Sequence, residues 1–139
     1  MEAYFDNSAT TIVTDSVKDI VVKTMTEDFG NPSAMHMVGV KAEKYIKEAQ
    51  ENIAKILKVD PKEIFFTSGG TESNNMAIIG TAMANKRKGN KIITTSVEHS
   101  SVLATMKYLE EQGFEVIYLP VDRYGVVQME ALEKEMTED

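Results

Sequence analysis

From residue 63 onward the chain alternates short apolar runs with helix-period stretches, and this alternation limits the fold more than any other feature. Glu63-Ile64-Phe65-Phe66-Thr67, Lys91-Ile92-Ile93-Thr94-Thr95 and Glu115 to Val121 read as strands. Helices are predicted after each of them, over Thr71 to about Lys88, Ser100 to Gln112, and Met129 to Met136. Gly89, Gly113 and the turn Asp122-Arg123-Tyr124-Gly125 punctuate the series. A strand–helix repeat of this kind argues an α/β fold with a mostly parallel sheet and flanking helices. Within the helix starting at Thr71, the period places Met76, Ile79 and Met83 inward. Core packing explains methionines seven residues apart more simply than a metal or an oxidation sensor. Lys86-Arg87-Lys88 reads as a solvated last turn whose cations complement the helix dipole.

The first half is helical with a loop at its start. Residues 1–14 read as an N-terminal arm, and Thr14 stands at an N-cap position. Val17, Ile20, Val21, Thr24 and Met25 then form one face of a helix that stops at Gly30. The following Asn31-Pro32-Ser33 forbids continuation, and His36 just beyond reads as a surface or loop-packing histidine. The clearest helical period follows: Ala42, Tyr45, Ile46, Ala49, Ile53, Ile56 and Leu57 lie on one face, with Lys41, Lys44, Lys47, Glu48 and Glu51 opposite. Asp60-Pro61 breaks it.

Composition removes several function classes. With 139 residues the chain fits one ordinary domain. Its formal charge of −7 and lack of a basic run argue against a nucleic-acid partner. With no cysteine, the chain itself holds no disulfide, thiolate metal site or thiol nucleophile. Two histidines, His36 and His99, are too few for a histidine-rich zinc site. Acidic residues stand near the N-terminus where a signal peptide would be basic, and no apolar stretch approaches the ~20 residues that span a bilayer. The expectation is a soluble, cytoplasmic protein without a membrane partner.

Two segments carry candidate chemistry. Thr67-Ser68-Gly69-Gly70-Thr71-Glu72-Ser73 lies at a predicted strand-to-helix junction. Glycines there leave backbone N–H groups uncovered by side chains. The first N–H groups of a helix lack internal partners and sit at its positive end. With the hydroxyls of Thr71 and Ser73 as added donors, the loop suits a phosphate. An ordinary turn with glycine for geometry and Thr/Ser as cap is the competing reading, because the loop matches neither the Walker A nor the dinucleotide fingerprint. Glu98-His99-Ser100 occupies the equivalent place after the next strand. In open α/β sheets ligands sit beyond the strands' carboxyl ends, so His99 and the glycine loop could face one site. Its imidazole would stack on a planar ligand or move protons, or else simply hydrogen-bond the local backbone.

Taken together, the segments resemble the N-terminal part of the NifS/IscS-type cysteine desulfurases, within the class V aminotransferase family. The matching pieces occur in family order: Tyr4-Phe5-Asp6-Asn7-Ser8-Ala9-Thr10-Thr11, Phe29-Gly30-Asn31-Pro32-Ser33 with His36, Phe66 to Asn75, Glu98-His99-Ser100-Ser101-Val102-Leu103, and Gly113-Phe114-Glu115-Val116. Ile12 stands where a proline often follows the paired threonines, and Ala34-Met35 where a second serine is usual. Neither departure touches the chemistry.

The resemblance implies a pyridoxal 5′-phosphate enzyme, with residues 15–139 as an incomplete three-layer large domain of the PLP-dependent transferase fold (fold type I). It implies that Gly70 and Thr71 bind the cofactor phosphate, and that His99 stacks on the pyridine ring and assists proton transfer. No metal is implied. The family reaction takes L-cysteine to L-alanine and leaves sulfur as an enzyme persulfide, destined for iron–sulfur clusters and related pathways. L-cysteine and a sulfur-acceptor or scaffold protein are therefore the implied partners, together with a homodimer or a complementing C-terminal piece. No lysine here follows a histidine, so nothing matches the family's cofactor-anchoring lysine. The sulfur-accepting cysteine, the pyridine-pairing aspartate and the carboxylate-binding arginine are also unmatched. The expectation is a truncated or split enzyme, inactive alone, whose strand at 63–67 lacks its native neighbours. A non-catalytic oligomerising or partner-binding fragment, and another class V enzyme such as a selenocysteine lyase or aminotransferase, are the alternatives.

Overall fold

The computed structural model describes residues 3–136 and resolves into two compact units, one ending at Phe65 and the other beginning at Phe66. The first unit is helical. Helix α1 (Asp15–Thr26) starts at Thr14, which has extended N-cap geometry but makes no side-chain cap bond. Its hydroxyl lies 3.2 Å from that of Ser16 instead. The helix ends four residues before the predicted stop at Gly30. Helix α2 (Met37–Leu57) begins at His36, whose Nδ1 accepts the Gly39 N–H at 3.2 Å. His36 is thus a helix cap, a role more specific than the loop packing expected of it. Lys58 ends α2 in the left-handed conformation with φ 58°, the usual geometry of a helix C-terminus.

The loop between α1 and α2 lies tight against the start of α2. A Cβ on Gly39 would come within 2.3 Å of the Ala34 carbonyl oxygen and 2.7 Å of that of Asn31, so only glycine lets the backbones approach this closely. Asn31 closes the loop by accepting the Ser33 N–H at 2.9 Å on Oδ1 and the Ala34 N–H at 2.9 Å on its carbonyl. The Tyr45 hydroxyl donates to Asp28 at 2.6 Å, tying α2 to the end of α1.

The strand predicted at Glu63–Thr67 does not form. Pro61–Glu63 is a single 3-10 turn, closed by a capping box: Asp60 accepts the Lys62 N–H at 2.8 Å, and Glu63 accepts the Asp60 N–H at 2.8 Å. Glu63 is therefore committed to a turn. Ile64 is extended, and its carbonyl accepts from the Gln50 side chain at 2.9 Å. No ladder reaches 64–67 among the described residues, and a strand without a neighbour is only an extended segment.

The second unit contains the sheet. Strands β1 (Lys91–Thr95) and β2 (Glu115–Leu119) pair in parallel, with Lys91 opposite Glu115 and Thr95 opposite Leu119. Helix α4 (Ser100–Glu111) makes the crossover, as parallel pairing requires. Gly113, at φ 84°, turns the chain from α4 into β2. Strand β2 ends two residues short of Val121, which instead makes an isolated antiparallel bridge with Val127. A short α5 (Met129–Glu135) follows. The core gathers around α4: Leu109, Thr105, Met106, Phe114 and Leu119 are all at most 5% exposed.

Helix α3 (Gly70–Asn85) packs on α4, and the face predicted turns inward only in part: Ile79 is half-buried. Met76 and Met83 are 52% and 38% exposed, while Asn74, Asn75, Ile78 and Ala82 are half-buried. The apolar stripe of α2 is only partly covered too, with Ile56 79% exposed. Helical period locates an apolar face; burial also needs a neighbour to cover it. An open apolar groove of about 490 Å³ runs beside α3, lined by Ala77, Ile78, Ala82, Ile92, Met106 and Phe114. Lys86 is exposed, as expected of this turn, but it is not without partners. Its Nζ donates to the Gln112 carbonyl at 2.7 Å and lies 5.0 Å from the centre of the Phe114 ring.

Candidate functional site

The glycine loop meets α3 as a helix start, although no strand leads into it. Gly69 is the N-cap, with extended backbone at φ 165° and ψ 178° that any residue adopts. Gly70 has no left-handed φ either. The competing reading, in which turn geometry calls for glycine, finds no support at either position. A Cβ at Gly69 or Gly70 would meet nothing within 4 Å, so neither conformation nor packing within this chain requires glycine at either position. In a helix the Cα–Cβ bond tilts toward the N-terminus, so a Gly70 side chain would occupy the space in front of the helix.

That space is rich in donors. The first ladder bond of α3 runs from the Ser73 N–H to the Gly69 carbonyl at 3.1 Å, so the N–H groups of Gly70, Thr71 and Glu72 precede the helical ladder. The side chains sort themselves differently from the sequence expectation. Ser73 Oγ is 2.6 Å from Thr67 Oγ1, a bond within the loop. The Ser68 N–H and hydroxyl both donate to Glu72 Oε2, at 2.7 and 2.5 Å. The Ser68 hydroxyl, and after it the N–H, hold the Glu72 carboxyl below the ordinary glutamate range. Thr71 lies outside these loop bonds.

His99 is the N-cap of α4, and its Nδ1 accepts the Ser101 N–H at 3.1 Å. The local backbone bond considered from sequence is therefore present, and the ring itself is exposed. Two hydrogen bonds join α4 to α3 in the same region. Asn74 Nδ2 donates to Ser101 Oγ at 3.0 Å. The Thr105 hydroxyl lies 2.5 Å from Asn75 Oδ1 and 2.8 Å from the Ser101 carbonyl, one proton shared between two acceptors. Asn74 is one helical turn after Gly70, and Ser101 is the second residue of α4, so the two helix starts sit side by side.

Gly70, Thr71 and His99 thus lie at one end of the second unit. His36 belongs to the other unit and is committed to its cap. Sequence reasoning missed Asn74, Ser101 and Thr105. The paired asparagines one turn into α3 and the paired serines after His99 were the available signal. No group of three or more potential metal ligands occurs among the described residues.

The sequence pattern of the family described as "Aminotransferase class-V" matches residues 3–139. The chain belongs to this family. Class-V aminotransferases depend on pyridoxal 5′-phosphate, and the structure has the α/β fold of that group. It is similar to "Cysteine desulfurase IscS 1" of Archaeoglobus fulgidus, at 47% identity over 136 residues, covering 98% of this chain and 36% of the relative. Among solved structures it is similar to a "NIFS-LIKE PROTEIN" with TM-score 0.89 and 47% identity, covering 100% of this chain and 38% of the other. A second solved relative, "SspA in complex with cysteine", has TM-score 0.84 and 39% identity over 97% of this chain and 39% of the other. The chain spans about a third of the length of the curated relatives it matches.

The residues present fit a phosphate-bearing cofactor. The N–H groups of Gly70 and Thr71, which precede the helical ladder, lie at the positive end of a 16-residue helix. The place a Cβ would fill is open. A planar imidazole stands at the neighbouring helix start.

Proposed function

We propose that this chain supplies part of the cofactor site of a PLP-dependent cysteine desulfurase, with Gly70 and Thr71 holding the phosphate and His99 lying against the pyridine ring. The observation that carries the reading is the pair of glycines that the free chain does not need. When bound, the cofactor supplies an electron sink for the substrate's Cα. The chain's own contribution is to bind and orient: Gly70 and Thr71 offer N–H groups and the Thr71 a hydroxyl, and His99 offers a flat face and a ring nitrogen.

L-cysteine is the proposed substrate, converted to L-alanine with the sulfur passed on as a persulfide. The lysine that anchors the cofactor and the cysteine that takes the sulfur belong, in this reading, to sequence beyond these 139 residues. The same holds for the aspartate behind the pyridine nitrogen and the arginine for the substrate carboxylate. The uncovered apolar faces of α2 and α3 suit packing against that sequence or a second copy in a homodimer. A sulfur-acceptor or scaffold protein, iron–sulfur cluster assembly and a cytoplasmic setting complete the proposal. The chain alone, given cofactor and cysteine, is expected to release no sulfide.

Pyridoxine 5′-phosphate, which carries the phosphate but no aldehyde to react with surface lysines, tests the site directly. Titrated against the chain by calorimetry, it is expected to saturate, whereas pyridoxine without phosphate is not. Equal behaviour of the two ligands would overturn the phosphate assignment.

A further inference from the structure

Two contacts meet at His99 Nδ1 and a third ends on the Ser101 hydroxyl behind it, and the direction of each follows from the one before. The Ser101 N–H can only donate, so the Nδ1 it reaches at 3.1 Å is an unprotonated acceptor. The Ser101 hydroxyl, 2.9 Å from the same atom, must then donate to it as well. That leaves the hydroxyl's lone pairs free to accept, and Asn74 Nδ2 donates to them at 3.0 Å. The result is a one-way chain from the Asn74 amide through the Ser101 hydroxyl to the imidazole. Ser101 is buried, and α4 and α3 hold it from both sides.

We infer that Ser101, backed by Asn74, is a positioning residue that fixes His99 as its Nε2–H tautomer. A neutral imidazole with Nδ1 occupied carries its proton on Nε2, on the far side of the ring from α4. His99 therefore meets a ligand as a hydrogen-bond donor through Nε2, and the partner atom it selects is an acceptor. In the desulfurase reading, on which this last step rests, that acceptor is an atom of the cofactor or substrate. The tautomer itself does not depend on that reading. His36 provides a comparison within the same chain: its Nδ1 accepts the Gly39 N–H at 3.2 Å, with no hydroxyl donor among the described residues.

Long-range ¹H–¹⁵N correlation NMR of the full chain, without cofactor, reads the protonation pattern of each ring. His99 is expected to show the Nε2–H pattern. Ser101→Ala removes one of the two donors and should raise the Nδ1–H fraction of His99 roughly two- to tenfold, the equivalent of one ordinary hydrogen bond, leaving His36 unchanged. Asn74→Asp keeps the size of the side chain but reverses its chemistry. Its carboxylate accepts the Ser101 hydroxyl proton and draws it from His99, so the same rise is expected with Ser101 still in place. This second variant decides the matter if Ser101→Ala does not fold. A His99 ring already Nδ1–H in the parent chain overturns the inference. So does a tautomer unmoved by both substitutions, or an equal change at both histidines. Because no cofactor is present, these outcomes are separate from the pyridoxine 5′-phosphate titration. A chain that binds the phosphate while its His99 tautomer ignores Ser101 and Asn74 sinks this inference alone.

Discussion

Gly70→Ala separates ligand from fold at the helix start. The new methyl meets nothing within 4 Å, and the backbone φ needs no glycine. Removing glycine's freedom in the unfolded chain should therefore stabilise the protein by about 0.4–1 kcal/mol. The same methyl points into the space in front of α3. A phosphate pushed back from that space loses one charge-assisted hydrogen bond, about 1.5–3 kcal/mol, which weakens binding by about tenfold to about 150-fold. Urea unfolding measures the first effect and a pyridoxine 5′-phosphate titration the second. The two should move in opposite directions, firmer fold and poorer ligand binding. If the variant binds as well as the parent, the glycine is not there for a ligand. If it unfolds more easily, the fold itself depends on this glycine.

Three further outcomes follow from other contacts. Gly39→Ala should destabilise the chain by about 1–3 kcal/mol in urea, because its Cβ would sit 2.3 Å from the Ala34 carbonyl oxygen; this outweighs the gain of about 1 kcal/mol in helix propensity. Thr105→Val should cost about 1–3 kcal/mol, since the buried hydroxyl serves both Asn75 and Ser101; a neutral result would show the α3–α4 bonds to be dispensable. Glu72 titrates below the ordinary glutamate value because of Ser68, so its contribution to stability is present above that value and lost as pH falls through the lowered one. Ser68→Ala should raise the Glu72 midpoint toward the ordinary value in a carboxyl NMR titration.

What could be read in the sequence was what depends on neighbours along the chain. Strand β1, helix α4, the turn at Gly113 and strand β2 were legible because alternation, helical period and a left-handed glycine are local signals. The Asp60-Pro61-Lys62-Glu63 capping box is equally local, and weighing it against the apolar run Ile64-Phe65-Phe66 would have removed the strand predicted at Glu63–Thr67. The exposure of Met76 and Met83 had no such signal. Their spacing marks a face, and which face of α3 meets α4 is decided by Asn74 and Asn75 finding Ser101 and Thr105. The candidate site divides in the same way. Gly70, Thr71 and His99 stood out by position, whereas the bonds behind His99 join residues from two helices. Which hydroxyl stays out of the loop's own bonds, Thr71 or Ser73, was settled by Thr67 across the turn.

The parallel pairing of β1 with β2 has a kinetic consequence. Lys91 to Leu119 contains two strands and the single helix that connects them, so the ladder closes over one excursion of chain. Each rung joins residues 24 positions apart, from Lys91–Glu115 to Thr95–Leu119, so closing that loop is the entropic step that comes before the ladder can reward it. This segment can gain its ladder and the buried cluster around Leu109 before any more distant pairing is made, and it is the natural place for folding of the second unit to begin.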